Sequence, residues 1–174
     1  VSRRYELLGW AAGFPDRYII EDDYDCEFRF GGLPIPTLQS IDTAGRVIYL
    51  NTFSKSLTPS IRISYMVLPQ ALVETFQEKL GFYACTVSNF EQYTLAAFLQ
   101  QGYFEKHINR MRNFYKNHRN QVIAALKISA LWEMASIYEE DAGLHFLLHI
   151  KTEKEDAAIK EELAEKGIRL RSMS

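Results

Sequence analysis

The sequence predicts an α/β chain, and three observations carry that prediction. Two short apolar runs, Tyr18-Ile19-Ile20 and Val47-Ile48-Tyr49-Leu50, are rich in β-branched and aromatic residues and each ends in polar groups, as buried strands of a parallel sheet do. From Gln70 onward apolar residues recur every three or four positions, the period of an amphipathic helix. Shorter strand-like segments, separated by breakers, follow toward the end.

Taken in order, residues 3–13 space Leu7, Leu8, Trp10 and Ala11 as a helix does, with Gly13 to end it. Residues 18–22 form the first predicted strand, closing on Glu21-Asp22-Asp23. Gly31, Gly32, Pro34 and Pro36 mark a loop, and Asp42 to Gly45 a turn. Residues 47–52 form a second strand that runs into Phe53-Ser54-Lys55, and Ile61 to Leu68 a third, closed by Pro69. Leu72, Val73, Phe76 and Leu80 line a helix. Thr86 to Asn89 interrupt it, and Ser88 or Asn89 is placed to cap a further helix through Tyr93, Ala96, Ala97 and Phe98 to Gly102. Ile108, Met111, Phe114 or Tyr115, His118, Val122 and Leu126 form one stripe of a long helix over residues 103–127. Ser136–Tyr138 and Leu144–Ile150 read as strands around an Asp141-Ala142-Gly143 turn. A charged helix over 153–166, with Ala157, Ile159, Leu163 and Ala164 inward, stops at Gly167, and 168–174 is the last predicted strand. The pattern divides near residues 102–106, giving a three-strand unit over 1–102, and a bridging helix with a smaller unit over 103–174.

Composition narrows the function classes. The chain has 174 residues, 47% apolar and 24% charged, which argues for a packed core and against disorder. Its net charge is -2, so on balance it is a poor binder of DNA by charge alone. No apolar run approaches the roughly 18 residues of a membrane span, and the first residues lack the apolar centre of a signal peptide. Cys26 and Cys85 form no CxxC. They are expected to be small buried hydrophobes in a reducing, cytoplasmic setting. The chain opens without Met in a helix and closes on a predicted strand, whose edge would be bare. A piece of a longer protein is therefore expected.

If strands 18–22 and 47–52 are parallel neighbours, their polar ends share one edge, where α/β sheets bind ligands. That edge carries Asp22, Asp23 and Tyr24 from one strand, Thr52, Ser54 and Lys55 from the next, and Arg62 from the loop that follows. Acid, phenol, amine, hydroxyls and guanidinium suit pyridoxal phosphate. That cofactor needs an amine for its aldehyde, a carboxylate at its ring nitrogen, a donor to its phenolate oxygen, and hydroxyls with an Arg for its phosphate. Alternation along a strand sends Asp22 and Asp23 to opposite faces, and favours Asp22 for the ring nitrogen.

The segments Ile20-Glu-Asp-Asp-Tyr-Asp-Cys-Glu-Phe-Arg-Phe30, Gly45-Arg-Val-Ile-Tyr49, Thr52-Phe-Ser-Lys-Ser56, Ile61-Arg-Ile-Ser-Tyr65, Gln101-Gly-Tyr-Phe-Glu-Lys-His-Ile108 and Ala142-Gly-Leu-His145 carry a resemblance. They resemble the aminotransferase-like domain of the MocR subfamily of GntR transcription regulators, above all its GabR-like members. The spacing of 33 residues from Asp22 in EDDYDCEF to Lys55 in TFSK is the most specific part. The resemblance implies part of a fold-type I domain: some of the large-domain sheet, and part of the small C-terminal α+β domain. It implies Lys55 as the Schiff-base lysine and Asp22 at the pyridine nitrogen. It further implies Tyr24 near the cofactor oxygen, and Thr52, Ser54 and Arg62 around the phosphate. Cys26 stands where the family often has Ser.

The same resemblance implies a homodimer that binds an amino-acid-like effector, gamma-aminobutyrate being one candidate, by transaldimination at Lys55. DNA would be bound only through a winged-helix domain upstream of Val1. The aromatic that stacks on the ring would also lie upstream, and the Arg for the substrate carboxylate beyond Ser174. A regulator is the leading expectation, and a fragment of an active aminotransferase the alternative.

Two other patterns have simpler readings. His145 and His149 lie about 13 Å apart on a predicted strand, and His107 and His118 are eleven positions apart on a helix, so no metal site is expected. Lys106, Arg110, Arg112, Lys116 and Arg119 form a basic run whose simplest reading is a solvated helix face. A contact with DNA, or with the regulator's own reading head, is the sharper one.

Overall fold

The structure is a computed structural model, and it describes residues 2–31, 35–138 and 144–173. Gly32, Pro34, the Asp141-Ala142-Gly143 turn and Ser174 therefore lie outside the described residues. Three strands make the larger sheet in the order β1-β2-β3: β1 (Ile19–Asp22), β2 (Val47–Thr52) and β3 (Ser64–Val67). β1 runs parallel to β2 with Ile19 opposite Val47 and Asp22 opposite Leu50, as the two apolar runs predict. β3 is antiparallel to β2, with Thr52 opposite Ser64.

Short polar devices set this sheet. Asp42 accepts from the backbone N–H groups of Ala44, Arg46 and Val47, so the turn at 42–45 feeds directly into β2. Glu21 pairs with Arg4 of α1 (Ser2–Ala12) at 3.1 Å. It also accepts from the N–H groups of Leu38 and Gln39, which open α2 (Leu38–Ile41), at 2.7 and 3.0 Å. One carboxylate thus joins a helix, a strand and a helix start.

The register divides the sheet into two faces. Val47, Tyr49 and Asn51 are buried, whereas Ile48, Leu50 and Thr52 are half-buried. On the second face Ile20 is 66% exposed and Met66 41%, so the predicted burial of the first run on both sides does not hold within this chain. The apolar run is two-sided, and the described residues cover one side of it.

The helices follow the predicted periods. α3 (Phe53–Ser56) is a single turn after β2; α4 is Gln70–Leu80, α5 Asn89–Gln100 and α6 Tyr103–Lys127. Ser88 caps α5: its side chain accepts from the Glu91 N–H, and Glu91 reaches back to the Ser88 N–H, a capping box. Along α6 the buried positions are Ile108 and Ile123, with Met111, Tyr115 and Leu126 half-buried between or beside them. Tyr115 rather than Phe114 faces inward, its ring edge-on to buried Phe28 at 5.5 Å, while Phe114 is exposed and stacks with His118. The stripe therefore runs one position off the predicted one at His118 and Val122, which are exposed.

A second sheet pairs β4 (Ala135–Tyr138) antiparallel with β5 (Leu147–Ile150), and α7 (Asp156–Glu165) follows. β5 begins three residues later than the predicted strand. The strand predicted over 168–174 does not form: Ile168 to Met173 take part in no ladder. Extended propensity makes a strand only where a partner backbone lies alongside, and no described element offers one.

Candidate functional site

The parallel register brings the C-terminal ends of β1 and β2 to one edge. Asp22 ends β1, and Tyr24 follows two residues on. Thr52 ends β2, Ser54 and Lys55 lie on α3 immediately after it, and Arg62 lies in the loop returning to β3. The edge that the sequence predicts is therefore the edge that the fold builds.

Asp22 and Asp23 part as alternation requires. Asp22 is opposite Leu50 and shares the face of Leu50 and Thr52. Asp23 takes the other face, where its Oδ2 accepts from the Tyr49 hydroxyl at 3.0 Å. Tyr49 in turn accepts from Asn51 Nδ2 at 2.8 Å. Burial pushes the Tyr49 phenol well above its usual range, with the bonded Asp23 carboxylate adding to the rise, so the hydroxyl stays a donor. This chain fixes the loop after β1 against β2.

A contrast runs through the edge. The polar groups that build the fold are committed: Glu21 to Arg4 and α2, Asp23 to Tyr49, Asn51 to Tyr49. Among the described residues, the side chains of Asp22, Tyr24, Ser54, Lys55 and Arg62 have no hydrogen-bond or ion-pair partner. Asp22, Tyr24, Lys55 and Arg62 are exposed. Such a set of free acid, phenol, hydroxyl, amine and guanidinium fits the chemistry of pyridoxal phosphate.

Thr52 is the exception. Its hydroxyl donates to the Ile63 carbonyl at 3.1 Å and accepts from the Ser54 N–H at 3.2 Å, capping α3. A hydroxyl has one proton, so Thr52 has none left for a phosphate in this arrangement. Ser54 keeps its own.

Residues that sequence reasoning did not single out also stand here. Ser56, beside Lys55, is 1% exposed, its hydroxyl lacks a partner, and its carbonyl accepts from His107 on α6. Arg62, which the sequence did single out, has φ 51, the one non-glycine residue with positive φ among those described. An open apolar cleft of about 600 Å³ lies beside the edge, lined by Phe53, Ile63, Tyr65, Leu95, Leu99 and Phe104 among others; none of the six predicted residues lines it.

Both cysteines are exposed rather than buried. Cys26 opens the 3₁₀ turn Cys26–Phe28, its sulfur turned toward Asn51 while the residue as a whole is exposed, and Cys85 lies exposed in the irregular stretch between α4 and α5. The Cys26 thiol is nonetheless pushed up to about 12, first by burial of the sulfur, then by Asp23 and Glu27. Such a thiol is mostly protonated at pH 8, so alkylation of Cys26 by iodoacetamide is expected to be slower, by roughly tenfold or more, in the folded protein than in urea. Mass spectrometry of the Cys26 peptide over time checks this, and equal rates would contradict the raised value.

The basic run on α6 is only partly a solvated face. Arg112 donates from Nε and Nη2 to the Glu27 carbonyl at 3.0 and 2.8 Å, and Arg119 lies over the Phe30 ring at 5.0 Å. These two residues bind the long helix to the turn after β1, leaving Lys106, Arg110 and Lys116 exposed. Among the described residues no group of three or more His, Cys, Asp or Glu is placed to hold a metal ion, and no helix is long and apolar enough to cross a membrane.

Comparison with known proteins agrees with this geometry. The family described as "Aminotransferase class I and II" matches residues 24–174. The uncharacterized HTH-type transcriptional regulator YhdI of Bacillus subtilis is 43% identical over all 174 residues, and the chain spans 37% of that relative's length. The probable rhizopine catabolism regulatory protein MocR of Rhizobium meliloti is 37% identical over 159 residues, 91% of this chain and 32% of the relative. The MocR-like resemblance read from the motifs is thus borne out over nearly the whole chain. Among solved structures, the Pyrococcus horikoshii kynurenine aminotransferase, crystallised with PMP, superposes with a TM-score of 0.81 at 30% identity, covering 97% of this chain and 41% of that one. The predicted fold-type I architecture is borne out with it. A parallel β1–β2 edge, a lysine turn after the second strand, and a match over residues 24–174 lead to one conclusion: the chain belongs to the aminotransferase class I and II family.

Proposed function

We propose that the chain is the effector-sensing part of a longer bacterial transcription regulator, built on an aminotransferase-like domain that takes pyridoxal phosphate. One observation carries the reading: the uncommitted polar side chains at the edge of β1 and β2 are the ones this cofactor needs, while their neighbours are spent on the fold. Identity of 43% over the whole chain to an HTH-type regulator supports regulation over turnover. Residues 1–102 would form part of the cofactor-binding unit, and 103–174 the bridging helix with part of the small domain. DNA would be reached through an HTH domain outside this chain, in a cytoplasmic homodimer.

When bound, pyridoxal phosphate supplies an aldehyde that condenses with amines and a ring that withdraws electrons. Lys55 would offer the amine that holds it, and an amino compound would compete for the same carbon. Asp22 would keep a proton on the ring nitrogen, its exposed carboxylate being free to accept a hydrogen bond from that N–H. Tyr24 would donate to the ring oxygen. Ser54 and Arg62 would hold the phosphate, Arg by its planar fork, while Thr52 shapes the turn that presents them.

The test uses the full-length protein loaded with pyridoxal phosphate, reduced with borohydride and mapped by mass spectrometry. The pyridoxyl mark is expected on Lys55, absent in Lys55→Ala, and diminished when gamma-aminobutyrate or another amino acid is added before reduction. Operator DNA affinity should change with the same amine. A mark elsewhere, or an unaltered mark in Lys55→Ala, overturns the lysine assignment. Steady conversion of an added 2-oxo acid would replace the regulator by the second reading, an aminotransferase, which the 30% identity to the Pyrococcus enzyme keeps open.

A further inference from the structure

The turn that carries Lys55 is gripped from behind by the long helix. Ser56 is 1% exposed, and its carbonyl lies 3.0 Å from His107 Nε2. A carbonyl can only accept, so Nε2 carries the proton and Nδ1 is left as an acceptor. Arg110 Nη2 lies 3.4 Å from that Nδ1, one turn along the helix, which agrees with the assignment. A second contact flanks the first: the Phe104 ring packs edge-on to Phe53 at 5.8 Å. Helix α6 therefore touches both the first and the last residue of α3, with Lys55 between them.

The grip is specific to the backbone. Ser56 Oγ is buried without a partner, an arrangement that a fold keeps only where other contacts hold the residue in place. The Ser56 carbonyl is one such contact, and it is the only polar one reaching this turn from α6 among the described residues. The far end of the 25-residue helix leads into the 3₁₀ turn Ala130–Met134 and the β4–β5 sheet. The same rigid element thus meets the lysine turn at one end and the smaller unit at the other.

We infer that His107 is a positioning residue for Lys55, fixing the lysine turn to α6 through the Ser56 carbonyl. The inference rests on the reading of Lys55 as the cofactor lysine. It asks for a hydrogen-bond donor at position 107 and not merely for a ring of the right size.

The test compares His107→Gln, His107→Phe and Lys55→Ala in the full-length protein. Gln places an amide N–H near the position of Nε2; Phe fills the space and donates nothing. The readouts are retention of pyridoxal phosphate and the pH midpoint of the visible absorbance of the loaded protein, a quantity set at Lys55 that loss of stability alone does not move. His107→Phe is expected to weaken retention roughly tenfold and to shift the midpoint by roughly 0.5 unit or more. His107→Gln should stay close to wild type in both. Equal behaviour of Gln and Phe, in either direction, overturns the inference. Should His107→Phe fail to fold, His107→Leu takes its place under the same criterion. An unchanged absorbance and midpoint in Lys55→Ala would remove the reading of Lys55 itself, and this inference with it; a lost absorbance there with Gln and Phe alike would remove the inference only.

Discussion

Asp22→Ala is expected to weaken retention of pyridoxal phosphate by roughly 10- to 100-fold, the worth of one charge-assisted hydrogen bond, and to leave stability within about 0.5 kcal/mol. Asp23→Ala is expected to do the opposite, costing about 1–3 kcal/mol of stability with a smaller effect on the cofactor. The two residues are adjacent and chemically identical, so composition cannot separate them. The pleat does. Asp22 is on the face of Leu50 and Thr52, exposed and without a partner among the described residues. Asp23 accepts from Tyr49, which is 8% exposed and held at its other side by Asn51. Removing the Asp23 carboxylate takes away the acceptor of the Tyr49 hydroxyl, on a residue that is largely buried. Removing the Asp22 carboxylate strands nothing in the protein. Urea unfolding and titration with pyridoxal phosphate, run on both variants of the full-length protein, separate the roles. A reversed order, with Asp23→Ala the weaker binder and Asp22→Ala the less stable, would assign the ring nitrogen to the wrong face.

Much of this site was legible because it depends on local rules. Two apolar runs with polar ends give parallel strands, parallel strands share an edge, and strict alternation splits Asp22 from Asp23. The capping box at Ser88 and Glu91 and the extent of α6 are likewise written in short-range spacing. The elements that escaped are those decided by partners far along the chain. Ile168 to Met173 has strand composition, yet no described backbone pairs with it. Arg112 reads as a solvated helix residue until the turn at Cys26–Phe28, distant in sequence, presents the Glu27 carbonyl to it. Thr52 reads as a phosphate hydroxyl, and its second task, donating to the Ile63 carbonyl, is invisible in the sequence. In each case the residue type was right for several tasks, and the fold chose among them by what it placed nearby.

The same competition explains Arg62, for which the largest paired effect is expected: Arg62→Gly should be more stable than Arg62→Ala by about 1 kcal/mol, while both lose cofactor affinity by roughly 100-fold. The loop after α3 is closed by two donors on one carbonyl. The Phe53 N–H and the Thr52 hydroxyl both donate to Ile63, at 2.9 and 3.1 Å. Ile63 is 7% exposed, so the chain must swing inward directly after an exposed residue. It does so at Arg62, whose φ of 51 puts a side-chain-bearing residue in the left-handed region. Glycine would enter that region without strain, and a chain selected only for folding would be expected to carry it there. Arginine at this position has no partner among the described residues to offset the strain. On the function proposed above, the Arg62 side chain would hold an anion at the β1–β2 edge, the ligand its planar fork suits. Gly and Ala variants equal in stability would show that the backbone bears no strain. Wild-type affinity for pyridoxal phosphate in both would show that the guanidinium does not hold the phosphate. The comparison thus separates what the loop costs the fold from what the guanidinium does for the site.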